Sequence, residues 1–155
     1  MASTSIEESK INRTPAAWLE KPALLGLEAV VKDSFSLVME ARKGILATVA
    51  FEVANAMQLH VDQLAEILHI TTKTLRNYRQ GQRKLNAAHS EQTLKLLALQ
   101  IKGGKVFGEA NAFRRWLEKP AYGLDDQVPL ELLETSGGID LVMEELDRIA
   151  YGDLA

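Results

Sequence analysis

The sequence predicts an all-α protein in which a helix-turn-helix domain is followed by a smaller helical domain. Apolar residues recur at the three- and four-residue spacing of helices along most of the chain. No segment shows the strict apolar–polar alternation of a half-buried strand. Glycine and proline stand where the helical patterns stop, as they commonly do at helix ends.

Length and composition are those of an ordinary globular protein. The chain has 155 residues, of which 46% are hydrophobic and 25% are charged. No apolar run is long enough to span a membrane, and the N-terminal MASTSIEESKINR lacks the apolar core of a secretory signal. The absence of cysteine excludes disulfides, thiolate metal sites and cysteine nucleophiles. We therefore expect a cytoplasmic protein.

Charge is segregated along the chain, although the net charge is only −3. Residues 1–55 contain 6 basic and 7 acidic side chains, and residues 56–105 contain 8 basic and 3 acidic ones. Residues 106–155 contain 4 basic and 11 acidic side chains. A positive middle suits a polyanion, whereas an acidic C-terminal part would repel one, so two different partners are expected.

The N-terminal part predicts a frayed tail followed by two helices. Residues 1–15 are polar and lack periodicity. Residues 27–42 predict one helix with a broad apolar stripe, ended by Gly44. This helix is our candidate for pairing two chains. Residues 45–57 are apolar nearly all round, which predicts a helix at the buried centre of the bundle.

Residues 61–79, VDQLAEILHITTKTLRNYR, have the pattern of two short helices joined by a tight turn. Leu64, Ala65 and Leu68 share one face of the first helix, and Leu75 and Tyr78 are neighbours on the second. Residues 69–71 supply a turn, a buried isoleucine and an N-cap hydroxyl. This is the layout of a helix-turn-helix, whose second helix lies in the DNA major groove.

The C-terminal part predicts four further helices. A basic loop at residues 81–84 precedes the first, and glycine or proline separates the others. The helices are expected over 88–102, 109–117, 129–135 and 139–149. Asn86 or Ser90 would cap the first, and Gly103-Gly104 would end it. Pro120 would close the second, and Gly137-Gly138 would form the turn before the last.

The segment WLEKPA occurs twice, at 18–23 and at 116–121. One interpretation is a helix-stopping device used twice, since tryptophan anchors a last turn and proline forbids its continuation. The other is that the N-terminal copy imitates the C-terminal copy and occupies an equivalent groove. The sequence leaves both interpretations open.

The second helix of the motif and the loop after it carry the candidate DNA contacts. Arginine can bind guanine in a bidentate way, asparagine and glutamine can bind adenine, and a helix N-terminus can meet phosphate. The alternative is an ordinary solvated basic face. The candidate DNA-binding residues are Thr71, Thr72, Lys73, Thr74, Arg76, Asn77, Arg79, Gln80, Arg83 and Lys84. Because one copy should bind weakly, we expect a dimer or higher homo-oligomer.

The motif, the following GQRKL and the tail together resemble the Xre/MbcA/ParS-type antitoxins. The tail reads NAFRRWLEKPAYGLDDQVPLELLETSGGIDLVMEELDRIAYG. The matching positions are Trp116, Leu117, Pro120, Gly123, Pro129, Leu132, Leu133, Gly138, Tyr151 and Gly152. The chain departs from the family pattern at His69, where glycine is common, and after Pro120, where only Gly123 stands of a frequent Gly-Gly pair.

The resemblance implies a division of labour. Residues 1–34 would be a partly disordered extension, 35–105 would bind operator DNA and oligomerise, and 106–155 would bind a RES-domain toxin, which consumes NAD. The chain itself would be no enzyme and would need no cofactor. The implied toxin-binding residues are Trp116, Tyr122, Asp125, Asp126, Glu131, Glu134, Glu144, Asp147, Tyr151 and Asp153.

Two further expectations concern the chain's end and its histidines. We expect residues 150–155, with Tyr151, Asp153 and the free carboxylate of the last residue, to enter a toxin's nucleotide cleft. The three histidines have no i, i+4 pair, so no metal site is expected.

The alternative function is a stand-alone transcriptional repressor whose tail oligomerises or binds an effector, and a third is a helical adaptor that has lost DNA binding.

Overall fold

A computed structural model describes residues 21–152 and confirms the all-α prediction for that part of the chain. The α-helices are α1 (Leu27–Lys32), α2 (Ser34–Lys43), α3 (Ala47–Ala56), α4 (Val61–Leu68), α5 (Thr72–Gln80), α6 (Ala87–Phe107), α7 (Ala110–Leu117) and α8 (Ser136–Ala150). Short 3-10 helices cover Pro22–Leu24, Tyr122–Leu124 and Pro129–Glu134. Extended pairing within this range is limited to the isolated bridges Leu46–Lys84 and Ala121–Gln127.

Helix α6 is the central element of the bundle. It has 21 residues and packs against α1, α2, α3, α4, α7 and α8. Leu94, Leu96 and Leu97 are fully buried at its middle. The sequence instead placed α3 at the centre. Helix α3 is buried on much of its surface, but only α6 is long enough to run from the helix-turn-helix to the C-terminal helices.

The prediction of a single helix over 27–42 is wrong, because the helix is interrupted at Asp33. Asp33 has an extended backbone, and its carboxylate accepts hydrogen bonds from the backbone N–H and the hydroxyl of Ser36. An aspartate in this position is a strong N-cap, so a second helix begins at Ser34. The expected apolar stripe is also not wholly inward, since Phe35 is 72% exposed.

The predicted start of α6 is confirmed with Asn86 as its cap, and the predicted end is wrong. Asn86 caps the helix by accepting a 2.7 Å hydrogen bond from the His89 N–H, whereas Ser90 is buried inside it. Gly103 and Gly104 do not end the helix, which continues to Phe107. Gly103 lies directly against the ring of Phe113, so the glycine allows α7 to approach α6 closely.

The C-terminal helices also differ in detail from the prediction. Residues 129–134 form a 3-10 helix, and Pro129 begins it. Gly137 and Gly138 are not a turn but lie in the first turn of α8, where the Thr135 hydroxyl accepts a hydrogen bond from the Gly138 N–H. Helix α7 ends at Leu117, ahead of Pro120, as predicted. No helix between residues 21 and 152 is long and apolar enough to cross a membrane.

The first WLEKPA copy begins among residues outside the described range, so its equivalence to the second copy is untested. The expected disorder of residues 1–15 and the role of Asp153 also concern residues outside that range.

Candidate nucleic-acid interface and partner-binding surface

The first helix of the helix-turn-helix is fixed at both ends by its own sequence. At its start the His60 ring accepts from the Asp62 N–H, and the Gln63 side chain accepts from the His60 N–H. At its end His69 adopts the left-handed conformation, with φ 56° and ψ 41°. The Ile70 N–H then bonds the Ala65 carbonyl at 3.1 Å, which closes the turn. His69 therefore has a left-handed backbone at the position where the family pattern commonly has glycine.

The hydroxyl groups of Thr71 and Thr72 form hydrogen bonds with other groups of the chain. The Thr71 hydroxyl oxygen caps α5 by accepting from the Thr74 N–H at 3.1 Å. The Thr72 hydroxyl donates to the Asp62 carboxylate at 2.9 Å. Since both hydroxyls already have partners and Asp62 is negative, a phosphate would more readily meet the backbone N–H groups at this helix end.

Helix α5 is anchored by one apolar side and presents its polar side outward. Leu75 is fully buried and Tyr78 is half-buried, close to the core role predicted for both. The outward residues form what we call the recognition face. They are Lys73, Thr74, Arg76, Asn77, Arg79 and Gln80, and all are exposed. Helix α5 contains no acidic residue, and no ion pair formed within residues 21–152 involves a cation of this face.

The basic loop after α5 is held against the start of α3 by backbone hydrogen bonds. The Ala47 N–H bonds the Arg83 carbonyl at 2.9 Å, and the Leu85 N–H bonds the Ile45 carbonyl at 2.8 Å. Gly44 is required beside this contact, because it has φ +80° and a Cβ there would lie 2.8 Å from the Leu85 carbonyl oxygen. The exposed Arg83 and Lys84 are therefore carried by a loop with a defined backbone.

Aromatic stacking links α6 to α7. The ring centroids of Phe107, Phe113 and Trp116 are 5.6 to 6.1 Å apart in pairs. Phe113 is 1% exposed, and Trp116 is half-buried. Much of the Trp116 side chain therefore serves packing, and only its remaining surface is available to a partner.

The loop after α7 presents an exposed tyrosine and two aspartates in a constrained conformation. Tyr122 is 87% exposed, and Asp125 and Asp126 both have positive φ, at 55° and 61°. The Ala121 N–H bonds the Gln127 carbonyl at 2.9 Å and closes the loop. A Cβ on Gly123 would clash with the Glu145 carboxylate, so glycine allows the loop to pass directly over that carboxylate.

Glu145 is not part of an acidic surface, although its position in the acidic tail suggests one. It is 2% exposed and accepts a 2.7 Å hydrogen bond from Arg148 Nε. Arg148 also reaches the Gly123 carbonyl at 3.4 Å. The buried Glu145 and the half-exposed Arg148 thus both contact the loop that contains Gly123.

The other predicted partner-binding residues are mostly exposed. We call the exposed carboxylates of this region the acidic face. They are Asp125, Asp126, Glu131, Glu134 and Glu144. Asp147 is half-exposed and is paired with Lys102 of α6, so part of its charge is already compensated. Tyr151 is exposed at the end of α8.

Two side chains whose linking role was not predicted from the sequence, His69 and Gln92, join the helix-turn-helix to the C-terminal helices. The His69 Nε2–H donates to the Glu134 carbonyl at 2.9 Å. The buried Gln92 amide donates to the carbonyls of Ile67 at 2.8 Å and Leu133 at 3.0 Å. A polar residue among the apolar positions of α6 was the one available signal for Gln92.

The pKa values of two side chains, His89 and Asp33, are displaced by their surroundings. Burial, together with the nearby His69, lowers the pKa of His89 below its ordinary value. The hydrogen bonds from the Ser36 side chain and backbone lower the pKa of Asp33. Among residues 21–152 no three histidine, aspartate or glutamate side chains are grouped to hold a metal ion.

The geometry defines a helix-turn-helix protein with a helical C-terminal unit that exposes several carboxylates, and comparison with known proteins agrees. Residues 36–98 match the antitoxin Xre-like helix-turn-helix domain. Residues 102–152 match the antitoxin Xre/MbcA/ParS C-terminal toxin-binding domain. The chain is also 26% identical over 130 residues to "Antitoxin Xre" of Pseudomonas putida, across 84% of this chain and 80% of that protein. The chain belongs to the Xre-type antitoxins.

Proposed function

We propose that this antitoxin blocks a RES-domain toxin, which consumes NAD, through its C-terminal domain and represses its own operon through the helix-turn-helix. The carrying observation is that the exposed cations of the recognition face lie on α5, whereas the exposed carboxylates of the acidic face lie on the elements that follow α7. A stand-alone repressor is the alternative. An adjacent reading frame that encodes a RES-domain protein would favour the first function, and its absence would favour the alternative.

The DNA-binding half of the proposal rests on exposure and charge. Arg76 and Asn77 are exposed near the middle of α5, where side chains of a recognition helix reach base edges. Arg83 and Lys84 extend from the loop that follows, where they would contact phosphates. The residues between 56 and 105 carry a net charge of +5, which favours association with a polyanion.

A gel shift on the DNA upstream of the protein's own reading frame tests this half. Replacing Arg76 and Arg79 together by alanine should abolish retention. The matched control replaces Lys105 and Lys119, two exposed cations outside the recognition face, and should retain the DNA. Retention by the Arg76 and Arg79 double variant would instead support the adaptor function, in which the helix-turn-helix no longer binds DNA.

The toxin-binding half rests on the loop 122–127 and the exposed end of α8. The loop holds Tyr122 and two carboxylates at fixed positions, which lowers the entropy lost on binding. An exposed aromatic side chain bordered by charge is typical of a binding hot spot. Residues 150–155 follow directly from α8 and would enter the nucleotide cleft of the toxin, where carboxylates compete for phosphate-binding groups.

Growth rescue on co-expression with the adjacent protein tests this half. Replacing Asp125 and Asp126 by asparagine removes charge while keeping a residue that tolerates positive φ, and it should weaken rescue. The control, Glu66→Gln with Glu109→Gln, removes two exposed charges outside the acidic face and outside α1 and α2, and should rescue fully. Deleting 150–155 should weaken rescue and leave DNA retention nearly intact. Equal rescue by the truncated chain would reject insertion of the tail.

We also propose a homo-oligomer in which α1, α2 and their flanking residues pair. Exposed apolar side chains cluster in this part of the sequence. They are Leu25, Phe35, Val38, Met39 and Leu46. Solvent exposure of several large apolar groups is typical of an interface. Light scattering should give a smaller mass for Phe35→Glu than for the wild type or for Leu141→Glu, an exposed control on α8. An unchanged mass would place the interface elsewhere.

A further inference from the structure

Two arginines, Arg79 near the C-terminal end of α5 and Arg83 on the loop that follows, lie over aromatic rings. The guanidinium carbon of Arg79 is 4.1 Å from the ring centroid of Phe51, and that of Arg83 is 4.3 Å from the ring centroid of Tyr78. Both distances are well within the range of a cation–π contact. Both arginines are exposed, and neither forms an ion pair with any carboxylate among residues 21–152.

The rings are held more firmly than the arginines they support. Phe51 is half-buried on α3 and packs against the core, and Tyr78 is half-buried on α5. Arg83 is further fixed by its backbone, because its N–H bonds the Tyr78 carbonyl at 2.8 Å and its carbonyl accepts from the Ala47 N–H. Each guanidinium therefore has a preferred position before any ligand arrives.

Stacking uses the face of a guanidinium and leaves the N–H groups at its edge directed away from the ring. Those N–H groups match the oxygens of a phosphate in a bidentate arrangement. A long side chain that is already ordered loses less conformational entropy on binding. Stacking on a ring thus prepares an arginine for phosphate without consuming its hydrogen-bond donors.

We propose that Phe51 and Tyr78 are positioning residues for a phosphate clamp formed by Arg79 and Arg83. The clamp contacts the sugar–phosphate backbone of duplex DNA beside the bases that α5 reads. This inference rests on the proposed DNA-binding function and adds a role for Phe51, which lies outside the recognition helix. It also assigns different roles along α5, with Arg76 and Asn77 at its middle reading bases and Arg79 near its C-terminal end holding the backbone.

Fluorescence anisotropy with a labelled 24-base-pair duplex of random sequence, measured over a series of salt concentrations, tests the clamp. Phe51→Leu keeps an apolar side chain but removes the ring, and it should weaken binding by about two- to fivefold. Phe51→Tyr keeps the ring and should bind like the wild type. Arg79→Ala should weaken binding and lower the slope of log affinity against log salt by about one.

A double-mutant cycle distinguishes positioning from packing. If Phe51 acts through Arg79, then adding Phe51→Leu to Arg79→Ala should cause no further loss. The matched control is Phe107→Leu, a half-buried phenylalanine that stacks on Phe113 and Trp116 and supports no arginine. It should leave DNA affinity unchanged.

A surface variant keeps the test independent of the folding of Phe51→Leu. Arg79→Lys retains the charge but cannot lie flat on the ring, so it should keep most of the salt slope and still bind about two- to fivefold more weakly. Wild-type affinity of Arg79→Lys, or independent losses in the cycle, would overturn the positioning role. If the wild-type chain bound no duplex at any salt concentration, the proposed DNA-binding function itself would fail.

Discussion

Gly103 and Gly104 are adjacent in α6, yet an added methyl group would meet different surroundings at the two positions. A Cβ on Gly103 would lie 2.3 Å from Cε2 of Phe113 and 2.4 Å from two other atoms of that ring. A Cβ on Gly104 would have no atom within 4 Å apart from its own helix and chain neighbours. Carbon atoms pack comfortably at about 3.5–4.0 Å, so the Phe113 ring would have to move by more than about 1 Å.

The two alanine variants give a matched measurement of this contact. Replacing glycine by alanine in a helix interior stabilises by about 0.5–1 kcal/mol, and this gain is common to both positions. Overpacking a filled core costs about 1–3 kcal/mol, and Phe113 has little room because Phe107 and Trp116 stack on it. Gly104→Ala should therefore be stabilised, and Gly103→Ala should be less stable than Gly104→Ala by about 1–3 kcal/mol.

Urea unfolding followed by circular dichroism measures the difference, provided that each variant unfolds in one transition with the same denaturant slope. Thermal unfolding should agree, at about 2–4 °C for each kcal/mol. Equal stability of Gly103→Ala and Gly104→Ala would refute the close approach of α7 to α6 on which this reasoning depends.

Three other predictions concern the contacts between the helix-turn-helix and its surroundings. His69→Ala should lower the free energy of unfolding by about 1 kcal/mol, because it removes the hydrogen bond to the Glu134 carbonyl. His69→Gly lacks the same bond but should be more stable than His69→Ala by about 1 kcal/mol, because glycine adopts φ 56° without strain. Equal stability of these two variants in urea unfolding would contradict this. Gln92→Met should lose about 1–3 kcal/mol, since it leaves the buried carbonyls of Ile67 and Leu133 without their donor; wild-type stability in the same assay would show that water or another group replaces the amide. Because the pKa of His89 is lowered in the folded chain, the unfolded chain binds this proton first as pH falls, and stability should decline below the ordinary histidine pKa. His89→Gln should make that decline less steep. An unchanged dependence of stability on pH would assign the decline to other groups.

The helix-turn-helix could be predicted in detail because its signals are local. The apolar spacing of Leu64, Leu68 and Leu75, the N-cap at Thr71 and the left-handed residue at His69 each depend on a few neighbouring residues. The structure has all of these features. The exposure of the basic residues on α5 follows from the same helical periodicity.

Glycine was the least reliable guide, because its role depends on distant residues. Gly44 ends α2 as expected, but Gly103 lies inside α6, where the ring of Phe113 needs the space. The residues next to Gly103 do not distinguish a helix end from a close contact between helices. The distinguishing group is the ring of Phe113, which lies on the following helix. The break at Asp33 was also missed, since a continuous apolar stripe outweighed a single N-cap residue.

The pairing of charges could not be predicted, because it depends on how the helices pack. Glu144 and Glu145 are adjacent, yet one is exposed and the other is buried beneath Gly123. Asp147 is paired with Lys102, forty-five residues earlier in the chain. The stacking of Arg79 on Phe51 likewise joins two helices whose crossing the sequence does not specify.

The central claim is that one surface serves DNA and another serves the toxin. The most direct measurement is growth rescue by the full chain carrying Arg76→Ala and Arg79→Ala, co-expressed with the protein of the adjacent reading frame. We expect this variant to rescue growth as well as the wild type, because both substitutions lie on α5 and leave the acidic face unchanged. Loss of rescue by a variant that remains folded would contradict the division of the two functions.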